Sequence, residues 1–474
     1  MNYKIASLLA PLFVALVSFS SLAQNSSYEQ DSILIREIYD EVLANGEIYS
    51  NLRSLTKDIG HRLSGSPQAD QAMVWGANLF RQYGADSVFI MPVEVPSWTR
   101  NDIAEARVHM SDGRVIPLHI TALGGSVSTP NNSPIRSKIV IVKHIDELAE
   151  LDDVEGKIVL FNRPMDPVLI NTGAAYGGAN DQRSYGAIKA SEAGAIGALV
   201  RSLTHSLDTV PHTGAMRYSD EVEKIPAAAI STVDARLLAQ LLEEDSELEV
   251  EFVMNCKALP NVIQGNVVGE WTGSTYPNEV ITLGGHLDSW DIGEGAHDDG
   301  AGVVHTIETL RLLKAVGYTP KRTIRFVLFI NEENGNRGGI EYARIANEES
   351  LSGDKIYVAA MESDAGGFSP RGFSLDAPFE QFELFKNWQS LFEPYGLYHF
   401  KRGWAGVDIG PLKKLDHRPF MVGLKPDGQR YFDFHHTAND TFENVHKREL
   451  ELGAAAMASI IMLIDKHLPS PNHD

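Results

Sequence analysis

Histidines and carboxylates recur through the second half of the chain at spacings that suit metal chemistry. His286 and Asp288 stand two apart, His297-Asp298-Asp299-Gly300 follows, Glu332 and Glu333 are adjacent, Asp364 comes next, and His435-His436-Thr437 precedes Asp440-Thr441. Asp288, Asp298, Glu332, Glu333 and Asp364 are five negative charges, and without counter-ions they would repel one another strongly. A pair of divalent cations brings four positive charges and removes most of that conflict. Imidazole and carboxylate donors without thiolate suit zinc, with cobalt or manganese as substitutes. Two histidines and three carboxylates serve two tetrahedral ions if one carboxylate bridges, which leaves room for a shared water. Such a pair of ions activates water for hydrolysis.

These residues need a scaffold that brings them to one place. Residues 280–283 form an apolar strand and 303–316 a helix closed by Gly317; 323–330 is the next strand and 339–347 the next helix. A third strand follows at 356–361, then helical text over 379–392 and a long apolar closing helix over 450–467. This alternation predicts an α/β fold, a mostly parallel central sheet with helices on both faces. His286 and Asp288 lie just past the first strand, Asp298 just before a helix, Glu332 and Glu333 at the end of the second strand, and Asp364 after the third. In open α/β sheets ligand sites gather beyond the carboxyl ends of the strands, so these groups are expected on one rim.

Upstream, residues 28–60 read as acidic amphipathic helix, Gly65-Ser66-Pro67 breaks the chain, 68–83 resumes a helix and 88–110 alternates like strands. From 117 to 257 the texture changes to short β-rich pieces separated by helical text near 187–193 and 233–242, as expected of a module inserted into a larger domain.

The text Gly285-His286-Leu287-Asp288-Ser289, Gly295-Ala296-His297-Asp298-Asp299-Gly300, Asn331-Glu332-Glu333-Asn334-Gly335, Met361-Glu362-Ser363-Asp364 and Phe434-His435-His436-Thr437 resembles the co-catalytic di-zinc aminopeptidase and glutamate carboxypeptidase family. Arg62 to Pro67 is a weaker match to that family's N-terminal region. The resemblance implies a zinc-peptidase fold in which His286, Asp298 and Asp364 bind one ion and Asp298, Glu333 and His436 the other. It also implies that Glu332 is the general base, which passes a proton from water to the leaving amine, and that the Asp288 carboxylate orients the His286 imidazole. His435 is either an oxyanion donor or a packing residue; His297 and Asp299 are loop geometry. Tyr431, Arg430 and Trp404 are candidate pocket residues. By the same resemblance the segment 117–257 is a protease-associated module that restricts access, 24–116 and 258–474 form the catalytic domain, and a homodimer is expected.

Composition narrows the class. The 474 residues carry 41 Lys plus Arg against 63 Asp plus Glu, a formal charge of −22, which disfavours nucleic acid as a partner. A single cysteine, Cys256, excludes a Cys-rich zinc module and an intrachain disulfide framework. Met1–Ala23 reads as a signal peptide, with Lys4 ahead of an apolar run and Ser21-Leu22-Ala23 at the cleavage point. An exported periplasmic or secreted protein follows, with no membrane span once the leader is removed. Neither Gly-x-Ser-x-Gly nor His-Glu-x-x-His occurs. The expected function is zinc-dependent exopeptidase action on dipeptides or short peptides. Glu362 and Asp408 are candidates for a substrate amine, and Arg371, Lys425 and Arg430 for a substrate carboxylate. The alternatives are a metal-dependent N-acyl amino acid amidohydrolase and an inactive binding protein on the same scaffold.

Overall fold

A strand that is apolar on both faces has to lie inside a sheet covered on both sides. In the computed structural model, which describes residues 10–471, Tyr276–His286 is such a strand, buried continuously from Glu279 to His286. It pairs in parallel with Arg322–Phe329 on one side and Ile356–Glu362 on the other, and Ile356–Glu362 pairs in parallel with Phe420–Pro426. Antiparallel pairings extend this parallel centre: Lys257–Trp271 and then Ser87–Thr99 beyond Arg322–Phe329, and Pro370–Asp376 beyond Phe420–Pro426. With His399–Arg402 at the far edge the sheet has eight strands.

Helices cover both faces, as the alternating pattern predicts. Ala301–Ala315, Lys447–His467, Pro67–Gln82 and the Ile35 to Val42 part of Ala10–Asn45 share one core with the sheet residues Ile281, Leu283 and Phe326. Arg337–Ser352 covers the opposite face through Tyr342 and Ala346, against Val280, Val327 and Tyr357. The closing helix is anchored at its end by the fully buried Arg322, whose guanidinium donates to Glu279 (2.7 Å) and to the carbonyls of Asp465 and Leu468.

A second sheet, also eight-stranded, is built from the segment between Ser87–Thr99 and Lys257–Trp271. It begins at Ala104–His109, so the expected boundary at 117 falls inside it. Strand alternation is the same text in either sheet; the chain changes sheets at a turn with Asn101 in the left-handed region, where composition gives no warning. Its last strand along the chain is Glu249–Met254, and Lys257 already opens a strand of the first sheet. The module docks against the main domain through Met165, Ala175, Ala179 and Leu203, which pack with Phe368, Tyr431, Phe432 and Phe434. Arg100 also pairs with Asp291 at 2.7 Å. Of the leader expected over 1–23, residues 1–9 lie outside the described residues. Among the described residues no helix is long and apolar enough to cross a membrane.

Candidate metal centre

Each acidic or imidazole group sits where a buried strand or helix ends. His286 is the last residue of its strand, in register with Phe329, so the turn after Phe329 carries Glu332 and Glu333 to the same edge. Asp364 leaves the Ile356–Glu362 strand two residues past its end. Asp298 lies in the tight turn Ala296–Gly300 that opens the Ala301–Ala315 helix and is joined to Asp299 by a cis peptide bond. His435 and His436 follow the short helix Tyr431–Phe434.

Asp298 is the hub. One oxygen is 3.2 Å from His286 Nε2 and the other 3.3 Å from His436 Nε2. His286 Nε2 is also 3.7 Å from Asp364, and His436 Nε2 is 3.0 Å from Glu333. Donor atoms of His286, Asp298 and Asp364 all lie within 4.8 Å of one another, as do those of Asp298, His435 and His436. All five expected ligands therefore converge.

This crowd is electrostatically unsatisfied by protein alone. Asp298 Oδ2 and Glu333 Oε1 are buried without a hydrogen-bond partner, a costly condition for an acceptor. Burial pushes Asp298 up, yet the surrounding imidazoles, His435 first, hold it well below the usual carboxylate range. Burial and the Asp298 charge push Glu333 up to about 7, and burial with the charges of Asp364, Glu333 and Asp298 pushes Glu332 well above the ordinary range. Buried carboxylates crowded in this way form a centre whose repulsion divalent cations would relieve. Two imidazoles and three carboxylates with no thiolate nearby are a donor set that zinc accepts.

The surrounding contacts fix the geometry. Asp299 accepts the His286 N–H (3.1 Å) and the Gly302 N–H (3.0 Å), tying strand end to helix start. A side chain at Gly302 would meet the Ser363 carbonyl at 1.9 Å. Asp288 differs from expectation: its main-chain carbonyl, 3.0 Å from His286 Nδ1, holds the imidazole, while its carboxylate is 4.0 Å away. That carboxylate instead accepts the N–H groups of Glu332 (3.1 Å) and Glu333 (3.4 Å), so it shapes the turn carrying both acids. His297 points away from the centre, stacked on Phe368 with Nε2 donating to the Asn444 carbonyl.

For several supporting groups the sequence marked a position but no role. Asp440 accepts the N–H groups of His297 (2.7 Å) and Asp298 (3.0 Å). Arg62 is fully buried and binds the carbonyls of Leu287, Glu294 and Gly295 in the loop leading to Asp298. His436 sits in the left-handed region, φ +62°, which a bulky residue adopts only when held. The second sheet's module holds it: Thr213 N–H donates to the His436 carbonyl (3.0 Å), and His436 Nδ1 faces the Thr213 carbonyl (3.2 Å).

The remaining candidates divide. His435 stacks on His436, its Nε2 3.6 Å from Asp298. Tyr431 is buried beside His435. Trp404 is half exposed beneath Lys425, and Arg430 lies exposed over Phe434. Arg371 is taken by Asp427 at the surface. Glu362 accepts the N–H groups of Val407 and Ile409, and Asp408 is fully buried with both oxygens unpartnered among the described residues. Cys256 is buried.

Comparison with known proteins adds an independent line. The model of peptidase family M28 matches residues 266–461. Carboxypeptidase Q of Bos taurus is 33% identical over 91% of this chain and 88% of its own length, and the Homo sapiens protein is 33% identical over 89% and 86%. The crystal structure of a peptidase M28 precursor from Shewanella amazonensis superposes with a TM-score of 0.86 at 32% identity, covering 94% of this chain and 99% of that one. A zinc aminopeptidase from Bacillus subtilis shares the fold at a TM-score of 0.61 and 19% identity, covering 88% and 93%.

Proposed function

The chain belongs to peptidase family M28, and from that premise we propose that it is an exported, zinc-dependent exopeptidase hydrolysing dipeptides or short peptides. The observation that carries this is the convergence on Asp298: five separate segments deliver His286, Asp364, Glu333, His436 and Asp298 to one buried point, with an imidazole against each Asp298 oxygen. In this reading His286, Asp298 and Asp364 hold one zinc ion, Asp298, Glu333 and His436 hold the other, and cobalt or manganese substitutes. Bound there, the ions polarise the scissile carbonyl and acidify the attacking water.

The chain's own residues do the rest. Glu332, whose pKa burial and neighbouring carboxylates raise well above the ordinary range, accepts the proton of the attacking water and returns it to the leaving amine. The Asp288 carboxylate fixes the Glu332 backbone, and its carbonyl fixes the His286 ring. His435, kept neutral by burial and the adjacent His436, offers an N–H to the oxygen that gains charge. Residues 104–254, read as a protease-associated module, roof the site beside Tyr431 and Phe432 and favour short substrates. Similarity to carboxypeptidase Q over most of its length supports action on chain ends.

Glu332→Gln tests this directly. It should retain zinc by metal analysis and lose on the order of 10²–10⁴-fold in kcat on dipeptides, the range of general acid–base catalysis. Unimpaired turnover would remove Glu332 from the mechanism.

A further inference from the structure

On the main-domain side of the metal centre one cation stands without an anion of its own. The strand Phe420–Pro426 runs parallel to Ile356–Glu362, with Gly423 level with Glu362. Two residues further on, the same register sets Lys425 level with Asp364, at the carboxyl edge of the sheet where the metal ligands gather. Lys425 is half-buried. Burial lowers its pKa, against the charges of Asp364 and Glu362. Among the described residues it makes no hydrogen bond and no carboxylate pairs with its ammonium; its close contact is the Trp404 ring.

The two neighbouring acids are already committed. Asp364 is assigned above to a metal ion, and Glu362 spends its oxygens on the N–H groups of Val407 (2.7 Å) and Ile409 (2.9 Å). The Lys425 Nζ stands 5.4 Å from the centre of the Trp404 ring, which is 50% exposed. The Trp404 carbonyl accepts the Ser374 hydroxyl at 2.6 Å, which ties this segment to the Pro370–Asp376 strand. An exposed ring with an unclaimed ammonium over it suits a short run of methylenes ending in a carboxylate: the ring covers the methylenes and the ammonium meets the charge.

Charge also selects which end of a substrate lies here. Asp364 and Glu362 are joined on this side by Asp408, which sits between the two N–H groups that Glu362 binds and is itself buried without partners. Three acids favour a free amine and oppose a terminal carboxylate. Resting on the exopeptidase reading, we propose that Lys425 and Trp404 form a subsite for an acidic side chain on the substrate's amino-terminal residue. Glutamate, with two methylenes to lay on the ring, is the side chain that fits this description.

The test reads kcat/KM for the near-isosteric dipeptides Glu-Ala and Gln-Ala with wild type, Lys425→Met and Lys425→Arg. Wild type should favour Glu-Ala roughly tenfold, the scale of one hydrogen bond to a charged group. Lys425→Met should bring the two level, and Lys425→Arg should keep a preference. The reversed pair, Ala-Glu against Ala-Gln, should give the same ratio in all three proteins. Both members of a pair are read on one protein, so a general loss of activity or of zinc leaves the ratio readable. A wild type indifferent to Glu-Ala over Gln-Ala, a Lys425→Met that keeps the preference, or a ratio that shifts in the reversed pair instead overturns the subsite, while the exopeptidase reading stands. Wild type with zinc that cleaves none of the four dipeptides overturns both.

Discussion

Asp288→Asn separates two roles that its sequence position merges. The carboxylate is fully buried and spends its oxygens on the Glu332 and Glu333 N–H groups, at 3.1 and 3.4 Å. His286 leans on the Asp288 carbonyl, which the substitution keeps. Asparagine turns one oxygen into a donor that faces an N–H, so one hydrogen bond is lost and a buried donor left unsatisfied. That costs about 1–3 kcal/mol, roughly a 5- to 150-fold effect if it falls on the transition state. The loss should appear as lower kcat on a dipeptide, because Glu332 drifts, with a smaller fall in affinity for the ion assigned to Glu333 and His436. Affinity at His286 should not change. Steady-state kinetics with metal titration, read by the spectrum of substituted cobalt, separates these effects. Selective loss of the His286-side ion would mean that the carboxylate orients the imidazole after all and would refute the reasoning.

Two further predictions concern the frame. Arg322→Met leaves the buried Glu279 carboxylate and the end of the closing helix without their cation, so chemical denaturation should show a loss of about 3–5 kcal/mol. Burial raises Asp31, but hydrogen bonds from His467 and Lys466 outweigh it and depress its pKa below 3.8. A depressed acid stabilises above its unfolded pKa and loses that contribution as pH falls through the folded value. Asp31→Asn should therefore destabilise at pH 7 and lose its effect well below pH 4 in thermal melts; an equal effect at both pH values would show that the ion pair is not responsible.

Much of this was legible because strands buried on both faces leave little ambiguity. The runs at 280–283 and 356–361 fall within observed strands, and 323–330 overruns its strand by one residue, Ile330; the ends of these strands carry His286, Glu332, Glu333 and Asp364. Residues whose work is done through the backbone were not legible. Asp440 reads as one more loop acid beside the histidine pair, yet it holds the Asp298 turn; Arg62 reads only as part of a weak family match, yet it is buried beneath that turn. Both depend on contacts far apart in sequence, for which no local spacing exists. The start of the second sheet at Ala104 was hidden for a related reason, since alternation marks a strand without naming its sheet.

The central claim is that the carboxylates around Asp298 are tolerable together because paired cations sit among them. Metal analysis of purified chain, with zinc supplied and again after exhaustive chelation, tests it most directly. About two zinc ions per chain, removed together with dipeptide turnover and restored with it, is the predicted result. Full turnover on metal-free protein, or a chain that takes up no zinc at all, would contradict it.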